Sequence, residues 1–302
     1  MSLVATELGA TEGPLGKAPA TEPARPGRDA WRMFRRNKAA LAGLVILVAI
    51  LLMTMVGPYL YPVDPFDLVS TPLMPPGEEG APLGTDYLGR DILAGIINGG
   101  KLSLAVGAIA AALTMTIGIA IGALAGFYGS HVDKLLMRLT ELFQVLPPLL
   151  LAMTIVTLFS PSLWTVAVSI GVVSWTSAAR LTRAEFLRIK NLQYVTAARS
   201  IGARNRRLIW RVILPNALPP LIVSSTLTIG VAILFESGLS FLGLGDPNIM
   251  SWGLMMGGNR TYMLDAWWAA TIPGIAIFLT VLSISLIGDG LNEAFNPRLR
   301  ER

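Results

Sequence analysis

The chain has 302 residues, of which 53% are hydrophobic and only 14% are charged, and its formal net charge is +5. It contains no cysteine and one histidine, which excludes disulfides and thiolate chemistry and argues against a histidine-based catalytic or metal site. Together with a mean hydropathy of +0.60, this composition is typical of an all-α integral membrane protein. In such a chain, positive charge more often reflects basic cytoplasmic loops than nucleic-acid binding, so we expect no nucleic-acid partner.

The N-terminal residues 1–31 are rich in Ala, Pro, Gly, Thr and Glu and show no apolar period. Such a composition predicts a disordered tail. The tail does not resemble a signal peptide, because no apolar core follows within the usual window. We therefore predict a disordered tail over 1–31, followed by a single transmembrane domain over 32–302.

Apolar runs long enough to cross a hydrocarbon core of about 30 Å occur six times in the transmembrane domain. They predict spans at about Ala39–Val56, Leu102–Phe127, Leu142–Phe159, Leu163–Ala179, Ala217–Phe235 and Ala266–Gly288. The third span is expected to be entered through Pro147-Pro148. Because only Ser160, Pro161 and Ser162 separate it from the fourth, these two should form a tight helical hairpin.

The Lys and Arg residues alternate between the segments that connect these spans. The loop 58–100 contains just Arg90 and the loop 237–265 just Arg260, whereas the N-terminal tail, the segment 180–211 and the C-terminal tail are basic. By the positive-inside rule, both termini and the segment 180–211 are predicted to be cytoplasmic. The expected location is the cytoplasmic (inner) membrane, with membrane lipid as one partner.

The predicted spans contain no Asp, Glu, Lys or Arg in their middle; Glu236 lies at the outer end of the fifth and Asp289 at the inner end of the sixth. Because ionisable residues within a membrane mark proton and ion pathways, this pattern argues against a proton- or sodium-coupled carrier. The sequence also has no Gly-x-x-x-x-Gly-Lys-Ser/Thr loop, so no ATP site is encoded. Uphill transport would therefore need a soluble motor that acts on a cytoplasmic surface.

The second predicted span carries Gly118, Gly122 and Gly126 at a spacing of four. This spacing puts all three on one helix face, where they allow another helix to approach closely. We favour packing inside the chain over an interface with a partner subunit.

The segment 180–211 is the most basic part of the chain. It carries Arg180, Arg183, Arg188, Lys190, Arg199, Arg204, Arg206, Arg207 and Arg211, with only Glu185 of opposite charge in the segment. Within it, small residues at Ala197, Ala198 and Gly202 are predicted to lie on one side of a helix-turn-helix, with Gly202 permitting a tight turn or the close approach of another protein. The segment is therefore either a plain positive-inside loop or a docking surface.

The residues Ala197, Ala198, Gly202, Leu214 and Pro215 resemble, in register, the cytoplasmic pattern Glu-Ala-Ala, three residues, Gly, nine residues, Ile-x-Leu-Pro of permeases of binding-protein-dependent ABC importers. Thr196 stands where that family has Glu, and Val212 where it has Ile. The resemblance implies a cytoplasmic coupling loop at about 180–216 that seats in a groove of an ATPase subunit. It assigns ATPase coupling to Thr196, Ala197, Ala198, Ser200, Gly202, Ala203, Arg204, Arg207, Leu214 and Pro215.

Three further stretches narrow the resemblance to the C-type subunit of the dipeptide/oligopeptide/nickel permease group. They are Leu83–Gly107, Glu236–Met256 and Ile287–Arg300, and the resemblance runs from about Arg32 to Arg300. It implies the six-helix type I importer fold, import of di- or oligopeptides, and three kinds of partner subunit. These are a B-type permease, two ABC ATPases that bind ATP and Mg, and an external substrate-binding protein, so this chain itself would be neither an enzyme nor a cofactor protein.

The first external loop places Asp86, Arg90 and Asp91 in the Gly-bounded stretch GTDYLGRD. Asp86 and Arg90 are four apart and could pair on a short helix. We favour a structural clamp of the loop over contact with a substrate.

Other functions remain compatible with the sequence. The solute could be nickel or another small compound, because the choice within the group rests largely with the binding protein. A membrane scaffold without transport, a secondary carrier and half of an exporter are the alternatives from other classes. Half of an exporter would require a fused nucleotide-binding domain.

Overall fold

The computed structural model describes residues 26–78 and 80–295, and the regular elements in these ranges are helices. The helices are α1 (Pro26–Arg36), α2 (Lys38–Leu60), α3 (Ile92–Tyr128), α4 (Ser130–Val145), α5 (Pro148–Phe159), α6 (Leu163–Lys190), α7 (Gln193–Ser200), α8 (Asn205–Arg207), α9 (Leu214–Phe241), α10 (Trp252–Asn259) and α11 (Trp267–Phe295). A π-helical turn, Leu208–Ile213, joins α8 to α9. Of the predicted tail, residues 1–25 lie outside the described residues, and α1 begins at Pro26.

Four of the six predicted spans are confirmed as single helices that are long and apolar enough to cross a membrane. They correspond to α2, α3, the continuous helical stretch Asn205–Phe241 that contains α9, and α11. Counting the bent pair α4 and α5 as one span raises the number to five. The structure therefore differs from six uniform single-helix spans at two places, the third and the fourth predicted spans.

The third predicted span, Leu142–Phe159, is not one helix. Helix α4 ends at Val145, α5 begins at Pro148, and the two are bent by 85°. Leu146 adopts an extended conformation, which is what a following proline imposes. Since neither Pro147 nor Pro148 has an N–H to continue the helix, the Pro-Pro pair breaks the element rather than merely starting it.

The fourth predicted span extends well past its expected end. Helix α6 runs for 28 residues from Leu163 to Lys190. Its second half carries Arg180, Arg183, Glu185, Arg188 and Lys190, which lowers its apolar character. The residues 180–190, predicted as part of a cytoplasmic loop, therefore belong to this helix.

Helices α3 and α6 pack along a seam of small residues. A Cβ added at Gly118 would meet Ala178, one at Gly122 would meet the carbonyl oxygen of Ala179, and one at Gly126 would lie 2.6 Å from Cβ of Phe186. Such an approach is possible only where the side chain is absent. The interpretation of these glycines as internal packing residues is confirmed.

The bundle has two ends with different character. We call the end formed by the loop 61–91 and α10 the loop end; Tyr87 N–H donates to Oδ1 of Asn259 there at 3.1 Å. We call the other end, where the C-termini of α3 and α6 meet α7 and α8, the arginine end. At this end Phe127, Phe186, Val195 and Leu208 form one buried apolar cluster.

Glu236 lies within α9, which continues to Phe241 rather than ending at the predicted Phe235. The side chain is 1% exposed and accepts hydrogen bonds from Oγ of Ser240 at 2.8 Å and of Ser237 at 3.3 Å. Buried polar groups in a membrane protein need such partners. Glu236 thus satisfies its polar atoms inside the bundle, near the loop end.

The seam generates a test with a matched control. We expect Gly122→Ala to lower the free energy of unfolding by about 1–3 kcal/mol, because the methyl group overpacks the α3–α6 contact. Gly238→Ala in α9 should leave the free energy of unfolding unchanged or raise it slightly. A Cβ at Gly238 meets nothing within 4 Å, and alanine reduces the conformational freedom of the unfolded chain. Thermal unfolding of the purified chain in mild detergent measures both; equal midpoints for the two variants would contradict the packing role of the seam.

Candidate functional site

The site predicted from the segment 196–215 is a short helix, a turn and a second helical segment, as expected. Helix α7 packs on the bundle chiefly through Val195, which is fully buried against the cluster at the arginine end, with Ala198 packed beside it. The remaining faces of α7 are open: Thr196, Ala197 and Ser200 are exposed, while Ala198 is half-buried. The helix is thus seated on the bundle by one face and presents the other outward.

The turn after α7 explains why Gly202 is needed. Gly202 N–H donates to the carbonyl of Arg199 at 3.0 Å and Ala203 N–H to that of Ala198 at 3.1 Å. These two bonds are the Schellman pattern that ends a helix, and it requires a left-handed residue at the position of Gly202. Its φ is +85°, while an added Cβ would meet nothing within 4 Å. The glycine therefore serves the backbone conformation and leaves the space above it free.

Pro215 marks the point where the segment enters the membrane helix. Proline lacks the N–H for the bond to residue i−4, here Arg211, and its ring crowds that carbonyl. Immediately before it the helix widens to the π-helical turn, in which Leu214 N–H donates to the carbonyl of Ile209. Leu214 packs at the edge of the apolar cluster, and Pro215 itself is exposed. Such π-turns within helices are frequent at functional sites.

A highly exposed apolar side chain follows α7 directly. Ile201, at the C-terminal end of α7, is 86% exposed, and Tyr194 on the same helix is 46% exposed. Neither residue is among those to which the sequence resemblance assigns ATPase coupling. Their exposure beside a helix that is otherwise small and polar makes this face a candidate contact surface for another protein.

The basic residues of the segment divide into two groups. Arg183 pairs with Asp133 at 2.5 Å and Arg188 with Glu185 at 2.6 Å. Lys190 Nζ donates to the carbonyl of Gly126 at 2.8 Å at the C-terminal end of α3, where a cation is favoured by the helix dipole. Arg183 and Lys190 thus join separate helices, as does Arg199, whose guanidinium lies 5.9 Å from the ring centroid of Phe127, whereas Arg188 and Glu185 both lie on α6.

The second group surrounds a cavity of about 420 Å³. We call it the arginine cavity; it is lined by Arg204, Arg206, Arg207, Trp210 and Arg211. All five are exposed, and Trp210 is 61% exposed. The sequence prediction included Arg204 and Arg207 and missed Trp210, which the spacing of three to four residues from Arg206 and Arg207 could have indicated.

The external candidates Asp86, Arg90 and Asp91 do come together, but not as a paired helix. Asp86 is 8% exposed, and its Oδ1 accepts from the backbone N–H of Leu88 at 2.8 Å and of Arg90 at 2.9 Å. The predicted Asp86–Arg90 side-chain pair is not formed, because Asp86 closes a turn around Gly89. The guanidinium of Arg90 instead lies over Phe66, 5.0 Å from the ring centroid.

Asp91 begins helix α3. Its Oδ1 accepts from Leu93 N–H at 2.7 Å, which is the geometry of an N-terminal cap. Its second oxygen accepts from the hydroxyl of Tyr61. Burial, followed by this bond to the carboxylate, raises the pKa of Tyr61 to about 12. These contacts hold the loop 61–91 onto α2 and α3 and support the interpretation of the trio as a structural clamp.

The fold and the site together define a class of protein: a multi-pass α-helical membrane protein that presents a short helix beyond the end of its bundle. Residues 118–301 match the family described as binding-protein-dependent transport system inner membrane component. Residues 25–76 match the N-terminal transmembrane domain of oligopeptide transport permease C. The chain belongs to the first of these families and is an ABC importer permease.

Relatives of named function share almost the full length of the chain. The di/tripeptide transport system permease protein DppC of Pseudomonas aeruginosa is 40% identical over 297 residues, covering 95% of this chain and 98% of that protein. The dipeptide transport system permease protein DppC of Haemophilus influenzae is 40% identical over 298 residues, covering 96% and 100%. A chain of the MetNI methionine ABC transporter, in inward facing conformations, shares the fold with a TM-score of 0.54 at 20% identity, covering 66% of this chain and 94% of that one.

The conformation of Gly202 yields a local test. We expect Gly202→Ala to destabilise the end of α7 by about 1–2 kcal/mol, because a Cβ disfavours the left-handed region, whereas Gly202→Asn should cost less. Hydrogen exchange of the α7 amides, measured by mass spectrometry, should be fastest in Gly202→Ala, intermediate in Gly202→Asn and slowest in the wild type. Exchange that is identical in all three would show that the turn does not limit the order of α7.

Proposed function

We propose that this chain is the permease subunit through which an ABC importer moves di- or oligopeptides across the cytoplasmic membrane, and that α7 with its turn is where ATPase subunits dock. The observation that carries the docking proposal is the exposed face of α7 and the following turn, from Thr196 to Gly202, while Val195 is the one fully buried side chain of α7. The peptide substrate is inferred from the printed function of the relatives. The ATPases would bind ATP and Mg and carry out the hydrolysis.

The docking surface combines small, polar and apolar groups. Thr196, Ala197 and Ser200 offer a low-relief helix face, and Ile201 projects from its end. Thr196 cannot form the ion pair that a glutamate would form there, so shape and apolar contact must account for more of the affinity. Ala203 N–H donates to the carbonyl of Ala198 in the Schellman turn, and both side chains pack against the apolar cluster. Leu214 and Pro215 connect the surface to α9.

The apolar cluster beneath α7 links this surface to three membrane helices. Val195 and Leu208 pack in the same buried cluster as Phe127 of α3, Phe186 of α6 and Leu221 of α9. Because packed side chains resist compression, a displacement of α7 moves these helix ends with it. ATP-driven closure of two ATPases would in this way reach the bundle, and alternating access would follow from motion against the second, B-type permease.

The uncharged middle of the spans fits the passage of solutes with varied side chains. The buried Glu236 accepts hydrogen bonds from Ser240 and Ser237 and lies near the loop end rather than in the middle of the span. An external substrate-binding protein would deliver the peptide at the loop end. From the positive-inside distribution we infer that this end lies outside and that the arginine end, with both termini, lies in the cytoplasm.

The docking proposal predicts an effect confined to one exposed residue. Ile201→Asp should weaken ATPase binding roughly 10- to 100-fold, because a buried isoleucine contributes about 1.5–3 kcal/mol to an interface. The fold should survive, since the side chain is 86% exposed. Affinity of the purified permease complex for its ATPases, measured by biolayer interferometry, is the readout.

Leu264→Asp is the matched control for Ile201→Asp. Leu264 is 98% exposed and follows α10 at the opposite end of the bundle. Its replacement introduces the same charge and should leave ATPase affinity unchanged. If both variants bind ATPases as the wild type does, α7 is not the docking surface.

The substrate proposal is tested separately by uptake into proteoliposomes that contain the full complex, ATP and the binding protein. Labelled di- and tripeptides should accumulate, and accumulation should stop when ATP is removed but persist when ion gradients are collapsed. Uptake of a nickel complex without peptide uptake would show that the substrate is the nickel complex and not a peptide. Uptake that follows an ion gradient would indicate a secondary carrier, and no uptake of any solute would favour a scaffold.

A further inference from the structure

The arginine cavity carries positive charge that the rest of the described chain does not neutralise. Among the described residues, 26–78 and 80–295, the ion pairs are formed by Arg183 and Arg188. None of these pairs involves the four arginines of the cavity. Four guanidinium groups around one space repel each other unless an anion lies between them. The volume of about 420 Å³ is within the range of small-molecule sites.

The position of the cavity along the chain places it at the membrane surface. Arg211 precedes Ala217, where the predicted fifth span begins, by six residues, which at about 1.5 Å per residue is about 9 Å. Trp210 beside it is 61% exposed, and exposed tryptophan is typical of the level of lipid headgroups. The cavity therefore opens where the polar surface of the bilayer meets the protein.

An exposed apolar face continues from the cavity into the membrane. Leu218 and Ile222 of α9 are 40% and 39% exposed. Their spacing of four places them on one helix face, seven and eleven residues beyond Arg211. A molecule with an anionic head and apolar chains could place its head among the arginines and cover the exposed apolar face with its chains.

We propose that the arginine cavity binds the phosphate headgroup of an anionic phospholipid from the leaflet at the arginine end, with the acyl chains along Leu218 and Ile222. Arginine suits this role because its planar guanidinium donates two parallel hydrogen bonds to phosphate oxygens. Basic pockets at the membrane surface of helical membrane proteins bind such headgroups. The bound lipid would neutralise the four arginines and anchor the π-helical turn between α8 and α9.

The proposal concerns a different surface from the ATPase-docking face. That face comprises Thr196 to Gly202 of α7 and its turn, whereas the cavity lies after the turn, between α8 and the membrane helix. Arg204 and Arg207, assigned to coupling by sequence resemblance, line the cavity. An acidic surface of a protein partner is the competing occupant, and the experiment below separates the two.

The test measures lipid binding to the intact permease–ATPase complex. Purified complex in mild detergent is titrated with phosphatidylglycerol or phosphatidylcholine, and bound lipid is counted by native mass spectrometry. Phosphatidylglycerol should bind more tightly than phosphatidylcholine. The double variant Arg206→Gln/Arg211→Gln should bind phosphatidylglycerol roughly 30-fold more weakly, from about one factor of five per basic residue near an anionic lipid.

A matched double variant removes the same charge elsewhere. Arg138→Gln/Arg180→Gln changes two exposed arginines outside the cavity and should retain wild-type affinity for phosphatidylglycerol. Arg206→Lys/Arg211→Lys keeps the charge but loses the guanidinium geometry, and should bind with intermediate affinity. Size-exclusion profiles and α7 hydrogen exchange confirm that each variant is folded.

Several outcomes would overturn the lipid site. Equal losses in the cavity and control variants would indicate diffuse surface charge. Equal affinity for the two lipids, or complete displacement of phosphatidylglycerol by millimolar inorganic phosphate, would indicate that no lipid is specifically held. If the cavity variant lost its ATPases while its lipid count stayed constant, the cavity would be a protein contact; loss of lipid with retained ATPases would leave the docking proposal untouched.

Discussion

The close approach of α3 and α6 is the contact on which the arginine end depends. Lipid tails are as apolar as the side chains, so helices in a membrane associate through packing rather than through the hydrophobic effect. The glycines at 118, 122 and 126 remove the side chains that would separate the two backbones. This contact fixes where α6 ends, and the end of α6 fixes α7. Lys190 then closes the C-terminus of α3 by donating to the carbonyl of Gly126.

The segment beyond that contact is rigid for local reasons. Gly202 terminates α7 in a left-handed turn, and Pro215 with the π-helical turn sets the start of α9. Both are backbone constraints, so they hold α7 in position without using its outward face. A docking helix needs this combination, because a displacement applied to a loosely held helix would be absorbed locally instead of reaching the bundle.

The basic residues of the segment 180–211 show how one sequence feature can serve three purposes. Arg183 and Lys190 tie helices together, whereas Arg204, Arg206, Arg207 and Arg211 line an open cavity. All belong to the basic segment 180–211, which the sequence predicts to be cytoplasmic. A count of basic residues cannot distinguish these purposes, since the distinction depends on which acidic group, carbonyl or open space each side chain reaches in the fold.

The sequence by itself determined the membrane class, the spans of α2, α3, α9 and α11, and the helix-turn-helix around Gly202. These follow from hydropathy, local spacing and turn chemistry, which act over a few neighbouring residues. The family came from the resemblance of the motif around Gly202 and of three further stretches to known permeases. Only the tertiary structure decided the partner of Arg183, because Asp133 lies fifty positions away, and the failure of Asp86 to pair with Arg90, because Asp86 is used by backbone N–H groups. It also decided the 85° break at Pro147-Pro148 and the arginine cavity. Each of these depends on where separate helices meet, and one-dimensional spacing does not contain that information.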